Sequence, residues 1–157
     1  MYCIYDLDGC LIDSSHRKAT RPDGTLDLDH WKRNSTPEKV AADTLLPLVN
    51  LWRKHWRNGN EIVFCTARVM ADADYEFLME NGLMSHYLLS RPEGCTLPDA
   101  TLKEIRLRIF AEDLGMTWAT FCSRAVMYDD SPSVISGLSL AGLKVEDAAR
   151  LNEALAS

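Results

Sequence analysis

"IYDLDGCLID", residues 4–13, runs an apolar, strand-like segment directly into two carboxylates and a glycine. Asp6 and Asp8 stand two positions apart, so an extended backbone directs both side chains to the same face. Two carboxylates at such close range repel each other and raise the energy of the ionised pair. The spacing therefore predicts that something positive lies between them.

The composition is typical of one folded domain. The chain has 157 residues, of which 46% are hydrophobic and 25% charged, and this excludes wholesale disorder. That length suffices for one well-buried core and is short for two, so we expect a single domain over residues 1–157. The net charge of −6 argues against a general nucleic-acid coat, although a local basic groove is compatible with it.

The cysteines and the termini indicate a cytoplasmic protein. The five cysteines show no metal-thiolate spacing, and Cys3 and Cys65 fall in apolar runs where a buried free thiol is typical of a reducing compartment. The sequence does not begin with a basic-then-apolar signal. No apolar run approaches the ~18 residues of a membrane span, so we expect no membrane segment.

Strand-like and helical segments alternate along the chain. The predicted strands are 2–5, 61–65, 86–89, 124–128 and 143–145, and the predicted helices are 45–58, 71–81, 99–114, 131–140 and a terminal one. Residues 13–43 are expected to be irregular. Asp99 is expected to cap the third helix, with Leu102, Ile105, Ile109 and Phe110 facing inward. The alternation predicts parallel strands joined by right-handed crossovers, hence a three-layer α/β/α sandwich.

Acidic residues follow several of these strands. In a parallel sheet the chemistry lies beyond the carboxyl ends of the strands, where Asp6, Asp8, Asp129 and Asp130 fall, together with Thr66 and Arg68. One aspartate alone is compatible with a turn or a helix cap. Four together predict a hard cation, and Mg²⁺ is favoured because it accepts a few carboxylates and keeps positions for water and phosphate oxygens.

Lys103 is the second indication of an anionic ligand. It falls near the amino end of the helix expected from Asp99, where the helix dipole disfavours a cation by a few tenths of a kcal/mol. That helix begins at the same edge of the sheet, so the ammonium could reach the carboxylates and a bound phosphate. A solvated surface lysine is the alternative.

In chain order, "DLDG", Thr66, Lys103 and the Asp129–Asp130 pair resemble the four-motif signature of the haloacid dehalogenase superfamily of phosphatases. The resemblance runs from Asp6 to about residue 135. It implies a Rossmann-like parallel sheet with a minimal cap or none, Mg²⁺ as cofactor, and hydrolysis of a phosphomonoester.

The resemblance also implies a role for each motif residue. Asp6 would be the nucleophile that forms an aspartyl-phosphate, and Asp8 would protonate the leaving oxygen and later activate water. Thr66 would bind the phosphoryl oxygens, Lys103 would neutralise their charge, and Gly9 would let the backbone approach the phosphate.

Four aspartates are implied at the metal. Asp6, the backbone carbonyl of Asp8 and Asp129 would hold Mg²⁺. Asp130 would be either a further ligand or an orienting group.

The space available for a cap is small. About thirty residues follow the first motif and about nine follow the third strand, fewer than the ~40 that an independent core needs. We therefore expect an open site. The sequences "HYLLSRPEG" and "MYDDS" resemble the 3'-phosphatase domain of phage polynucleotide kinase, which implies that Arg68 and Arg91 contact the substrate phosphate. Surface ion pairs are the alternative for both arginines.

These observations favour an enzyme that removes the 3'-phosphate from nucleic-acid ends or nucleotides. A small-molecule 5'-nucleotidase or sugar phosphatase is an alternative within the same chemistry. A phosphorylatable receiver-like signalling module is an alternative of another class, although such a module takes its phosphate after a middle strand.

A few other residues have simple interpretations. We expect His16, Arg17 and Lys18 to form a solvated charge run. Trp31 either anchors the polar stretch or stacks on a base. Trp52 and Trp56, four residues apart, are expected in the core.

Overall fold

The computed structural model describes residues 1–157 and contains one five-stranded sheet with helices on both faces. Its strands are β1 Tyr2–Tyr5, β2 Ile12–Asp13, β3 Thr44–Leu45, β4 Glu61–Cys65, β5 Tyr87–Leu89, β6 Ala125–Asp129 and β7 Lys144–Asp147. Its helices are α1 Leu28–Arg33, α2 Pro37–Ala41, α3 Val49–Arg57, α4 Asp72–Glu80, α5 Asp99–Asp113, α6 Trp118–Ser123, α7 Pro132–Leu140 and α8 Ala148–Ala156. All are too short to cross a bilayer.

The main sheet has the order β5-β4-β1-β6-β7, and all its pairings are parallel. β1 lies in the middle, with Tyr5 in register with Phe64 of β4 and Tyr128 of β6. Parallel strands must be connected by crossovers, which the helices provide. The expected three-layer α/β/α sandwich is confirmed.

Each face of the sheet has its own apolar core because alternate residues of a strand point to opposite faces. Cys3 and Tyr5 lie in the core under α3, α4 and α8, where Trp52 is buried as expected and Trp56 packs against it. Ile4 lies in the opposite core, under α5, α6 and α7. Burial of each large apolar side chain contributes about 1.5–3 kcal/mol.

Two predicted helices differ in their details. α3 begins at Val49 rather than Leu45, because Leu45 pairs with Ile12 in the small β2–β3 sheet. α5 begins at Asp99, but Asp99 is its first residue and not its cap, a position held by Pro98.

The inward face of α5 also differs from the expected one. Leu102 and Phe110 are buried as expected, but Ile105 and Ile109 are 42% and 46% exposed. The buried stripe includes Lys103 instead. A sequence pattern based on apolar residues misses this stripe because one of its members is charged.

Residues 13–43 contain short regular elements, although the sequence predicted an irregular stretch. They contain a 3-10 turn at 15–17 and the short helices α1 and α2. The Asp27 side chain accepts from the His30 N–H to cap α1, and Thr36 caps α2 in the same way through the Lys39 N–H. We call residues 13–43 the cap segment. Outside the cap segment, helix α6 (Trp118–Ser123) was also not predicted from the sequence.

Candidate active site

Three adjacent strands position the motif residues at one edge of the sheet. Asp6 directly follows β1, Thr66 directly follows β4, and Asp129 ends β6. Backbone hydrogen bonds continue the ladder into this edge, since Asp6 N–H donates to Tyr128 O and Thr66 N–H donates to Leu89 O. The structure thus brings together the motif residues that the sequence placed at strand ends.

Lys103 is buried among these carboxylates. Its Nζ lies 2.9 Å from Asp6 Oδ1 and 2.7 Å from Asp129 Oδ2, and the residue is 3% exposed. Burial opposes its charge, but the two carboxylates outweigh burial and raise the pKa of Lys103 well above its ordinary value. The alternative of a solvated surface lysine is wrong.

Asp6, Asp129 and Asp130 form an acidic cluster whose ligand oxygens lie within 4.8 Å of one another. Burial, followed by the charge of Asp129, raises the pKa of Asp6 well above its ordinary value. The Lys103 ammonium contacts two of the three carboxylates and makes no ion pair with Asp130, so negative charge remains uncompensated. Carboxylate oxygens at this spacing fit a hard divalent cation such as Mg²⁺.

Gly9 lies against the acidic cluster. Its φ of +75° is a conformation that favours glycine. A Cβ at this position would overlap the carboxylate of Asp130. Gly9 therefore gives Asp130 room beside the loop. The approach of this backbone to a substrate phosphate stays a prediction.

The Asp8 side chain is not part of the acidic cluster and has other partners. It accepts hydrogen bonds from Arg68 (Nε to Oδ2, 2.8 Å; Nη2 to Oδ1, 2.6 Å) and from the Ser14 hydroxyl at 2.5 Å. Burial alone would raise its pKa, but the hydrogen bonds and charge of Arg68, with Ser14, lower the pKa of Asp8 to about 2. Asp8 is thus held as an ionised carboxylate.

Arg68 belongs to a buried ion-pair network. Besides Asp8, it donates to Asp74 Oδ1 at 2.7 Å and to Asp43 Oδ2 at 3.3 Å, and its side chain is 4% exposed. The guanidinium is therefore occupied by three carboxylates. Arg68 does form ion pairs, but they are buried and not on the surface as the alternative assumed. The predicted contact of Arg68 with a substrate phosphate stays a prediction.

Arg17 extends this network into the cap segment. It is 1% exposed, forms a two-pronged ion pair with Asp43 (3.0 and 2.8 Å), and lies 4.3 Å from the ring centroid of Trp31. The expectation that Arg17 is solvated is wrong. Trp31 lies under this arginine, in agreement with the anchoring role.

The structure does not direct Arg91 at the acidic cluster. Its N–H groups donate to the carbonyls of Ala67, Cys95 and Leu97, and to the Asp99 carboxylate at 2.8 Å. These bonds tie together the loop that precedes α5. Its contact with a substrate phosphate stays a prediction.

Thr66 keeps a free donor at the site. Its Oγ1 accepts a 3.0 Å hydrogen bond from the Arg68 backbone N–H, and the residue is 2% exposed. A hydroxyl that accepts one bond still has its own O–H to donate. That proton is available to a phosphoryl oxygen.

Comparisons with known proteins identify the family of this chain. The sequence matches the profile of the bacteriophage T5 5'-deoxynucleotidase family over residues 1–157. The chain belongs to this family. A curated relative, the 5'-deoxynucleotidase of Escherichia phage T5, is 42% identical over 84 residues, which are 51% of this chain and 34% of that protein. The matched region thus spans about a third of the relative's length.

Solved structures show the same fold. A haloacid dehalogenase-like hydrolase, SP0104 of Streptococcus pneumoniae, has a TM-score of 0.68 at 9% identity, covering 97% of this chain and 90% of its own. The Pnkp1/Rnl/Hen1 complex contains a chain with a TM-score of 0.65 at 18% identity, covering 93% of this chain and 45% of its own. The expected haloacid dehalogenase fold is confirmed.

Proposed function

We propose that this protein is a Mg²⁺-dependent phosphatase that hydrolyses deoxynucleoside 5'-monophosphates through an aspartyl-phosphate on Asp6. The observation that carries the chemistry is the buried Lys103 between Asp6 and Asp129, beside Asp130. The substrate class is supported by membership of the 5'-deoxynucleotidase family.

Asp6, Lys103 and Thr66 each have a role in the proposed reaction. Asp6 Oδ attacks phosphorus, the bond from phosphorus to the leaving oxygen breaks, and that oxygen takes a proton. Lys103 and the Thr66 hydroxyl stabilise the charge on the phosphoryl oxygens. Water then attacks the aspartyl-phosphate, which releases inorganic phosphate and regenerates Asp6.

Asp6, Asp129 and Asp130 would hold the Mg²⁺, with the Asp8 backbone carbonyl as a further oxygen ligand. When bound, the ion neutralises their charge and orients the phosphate. The hard oxygen donor set of these residues supports this assignment.

Asp8 is proposed as the group that moves protons. As an ionised carboxylate held by Arg68 and Ser14, it is in the form that takes a proton from the attacking water. To protonate the leaving oxygen in the first step it must carry a proton, which requires its contacts with Arg68 to loosen.

The test is phosphate release with and without Mg²⁺ from all four deoxynucleoside 5'-monophosphates, by the wild-type protein and by Asp6→Asn. We expect Mg²⁺-dependent turnover that is lost in Asp6→Asn. Activity that survives this substitution would show that Asp6 is not the nucleophile.

A second candidate is removal of the 3'-phosphate from nucleic-acid ends. It is supported by the small cap segment, whose two helices have only six and five residues and leave room for a large substrate. Comparing kcat/KM for a 3'-phosphorylated oligonucleotide with that for the 5'-mononucleotides decides between the two.

We also propose that residues 1–157 form one domain that works in a reducing cytoplasm. Support comes from the single main sheet and from five free cysteines, of which Cys3, Cys10 and Cys65 are buried.

A further inference from the structure

A pocket of about 310 Å³ lies between the loop after β1 and helix α8. Its wall includes Gly9, Ser14 and Lys18 from the loop side, Leu46, and Ala149 from α8. This volume is at the lower end of small-molecule sites, which suits one nucleoside better than a polynucleotide.

Two wall residues connect the pocket with the chemistry. Gly9 lies against the Asp130 carboxylate, and Ser14 donates its hydroxyl hydrogen bond to Asp8. The pocket therefore opens beside both the acidic cluster and the residue that exchanges protons with the leaving oxygen. The leaving oxygen of a nucleoside monophosphate is the atom that carries the nucleoside.

Asp8 is closed on the side where it contacts Arg68. The Arg68 side chain is 4% exposed and also contacts Asp43, whose side chain is fully buried and pairs with Arg17. A leaving group next to Asp8 therefore has open space only in the direction of the pocket.

Lys18 is the wall residue whose side-chain donor has no partner in the protein, since the hydroxyls of Ser14 and Ser15 donate to Asp8 and Asp13. It is exposed and makes no ion pair, whereas the Asn152 side chain, also in the wall, is committed to Leu48 N–H and Cys10 O. Lys18 lines the pocket on the same side as Ser14, whose hydroxyl contacts Asp8.

We propose that this pocket is the nucleoside subsite and that Lys18 is a specificity-determining residue, donating a hydrogen bond to an acceptor oxygen of the nucleoside. That oxygen is a base carbonyl or a sugar hydroxyl. The proposal rests on the proposed deoxynucleotidase function and adds to it the place and the partner of the leaving group.

The first test compares substrates that share the phosphate but not the nucleoside. For Lys18→Met we expect the ratio of kcat/KM for deoxynucleoside monophosphates to that for acetyl phosphate to fall about tenfold, through KM, as for loss of one charged hydrogen bond. Lys32→Met removes the same charge from the same cap segment at an exposed position outside the pocket wall, and should leave the ratio unchanged.

A second variant fills the pocket. Ala149→Trp places a large side chain at an exposed position of the wall and should lower the same ratio by at least as much. A ratio unchanged in both Lys18→Met and Ala149→Trp would overturn the subsite.

The substrate series identifies the acceptor. If the loss in Lys18→Met is confined to bases that carry a carbonyl and spares deoxyadenosine monophosphate, the acceptor is the base. If all four bases lose equally and a 3'-deoxy substrate does not, the acceptor is the sugar hydroxyl. Either result supports the proposal.

Binding of an unphosphorylated deoxynucleoside tests the nucleoside subsite separately from the proposed deoxynucleotidase function, because binding needs no turnover. We expect its addition to shift the NMR amide signals of Gly9, Ser15 and Ala149, and these shifts to weaken in Lys18→Met. Shifts without hydrolysis of deoxynucleotides would refute the proposed function and keep the subsite. Absence of the shifts would refute the subsite.

Discussion

Replacing Asp43 with asparagine tests what holds the cap segment on the sheet. The Asp43 carboxylate is fully buried and accepts two hydrogen bonds from Arg17, one from Arg68 at 3.3 Å and one from His16 at 2.7 Å. Asparagine has nearly the same shape, but it carries no charge and turns one acceptor into a donor. Two buried guanidinium groups then lose a counter-charge.

The expected cost follows from this burial. Removing one partner of a buried ion pair costs about 3–5 kcal/mol, because the other charge is left uncompensated. For a domain of this size, each kcal/mol lowers the melting temperature by about 2–4 °C, so the loss is roughly 6–20 °C. Glu104→Gln is the matched control, since Glu104 pairs with Arg108 in the exposed part of α5, where such a pair contributes about 0.3–0.5 kcal/mol.

Urea unfolding of the wild-type protein and both variants gives the free energies directly, provided that the slope with denaturant is unchanged. We expect Asp43→Asn to lie several kcal/mol below Glu104→Gln. If Asp43→Asn stays within 1 kcal/mol of the wild-type protein, the buried network is not what secures the cap segment, and the reasoning fails.

Three further predictions concern the metal, the loop and one histidine. Mg²⁺ at a hundred times its dissociation constant should stabilise the fold by about 2.7 kcal/mol and so raise the melting temperature. Asp130→Asn should reduce this rise in melting temperature at the same Mg²⁺ concentration. Gly9→Ala should cost at least about 1–2 kcal/mol in urea unfolding, because its φ is positive and its methyl group displaces Asp130. Burial lowers the pKa of His55, which bonds Tyr5 Oη, below 6.5, so the unfolded chain binds more protons and stability should fall as pH drops below that value. His55→Gln should flatten that pH dependence of the melting temperature, and an unchanged slope would contradict it.

The motif residues could be predicted because sequence order fixes their place. A residue directly after an apolar strand of a parallel sheet has to lie at the carboxyl edge of that sheet. This rule alone places Asp6, Thr66 and Asp129 close together. That Lys103 could reach these carboxylates was predicted only from its unusual location near the start of a helix, and its burial was not predicted. Its neighbours Ile105 and Ile109 misled the prediction, since they look like core residues.

The cap segment could not be predicted in this way. Apart from Val40, which is buried in the core under α3, α4 and α8, its buried contacts are mainly polar, so it has no apolar periodicity from which helices or buried faces could be inferred. Arg17, Asp43 and Ser14 are ordinary surface residue types, and only the tertiary structure brings them to Asp8 and Arg68. The one signal in the sequence was an aromatic residue, Trp31, within a polar stretch.

The order of the strands also determines which parts of the molecule open most readily. β1 is hydrogen-bonded on both sides, whereas β5 and β7 each have a single neighbour. Edge strands with one ladder exchange their amide protons through small local openings, while a central strand exchanges only when much of the fold opens. Asp6, the proposed nucleophile, is therefore attached to the part of the protein that unfolds last, and thermal fraying at either edge leaves its carboxylate in place.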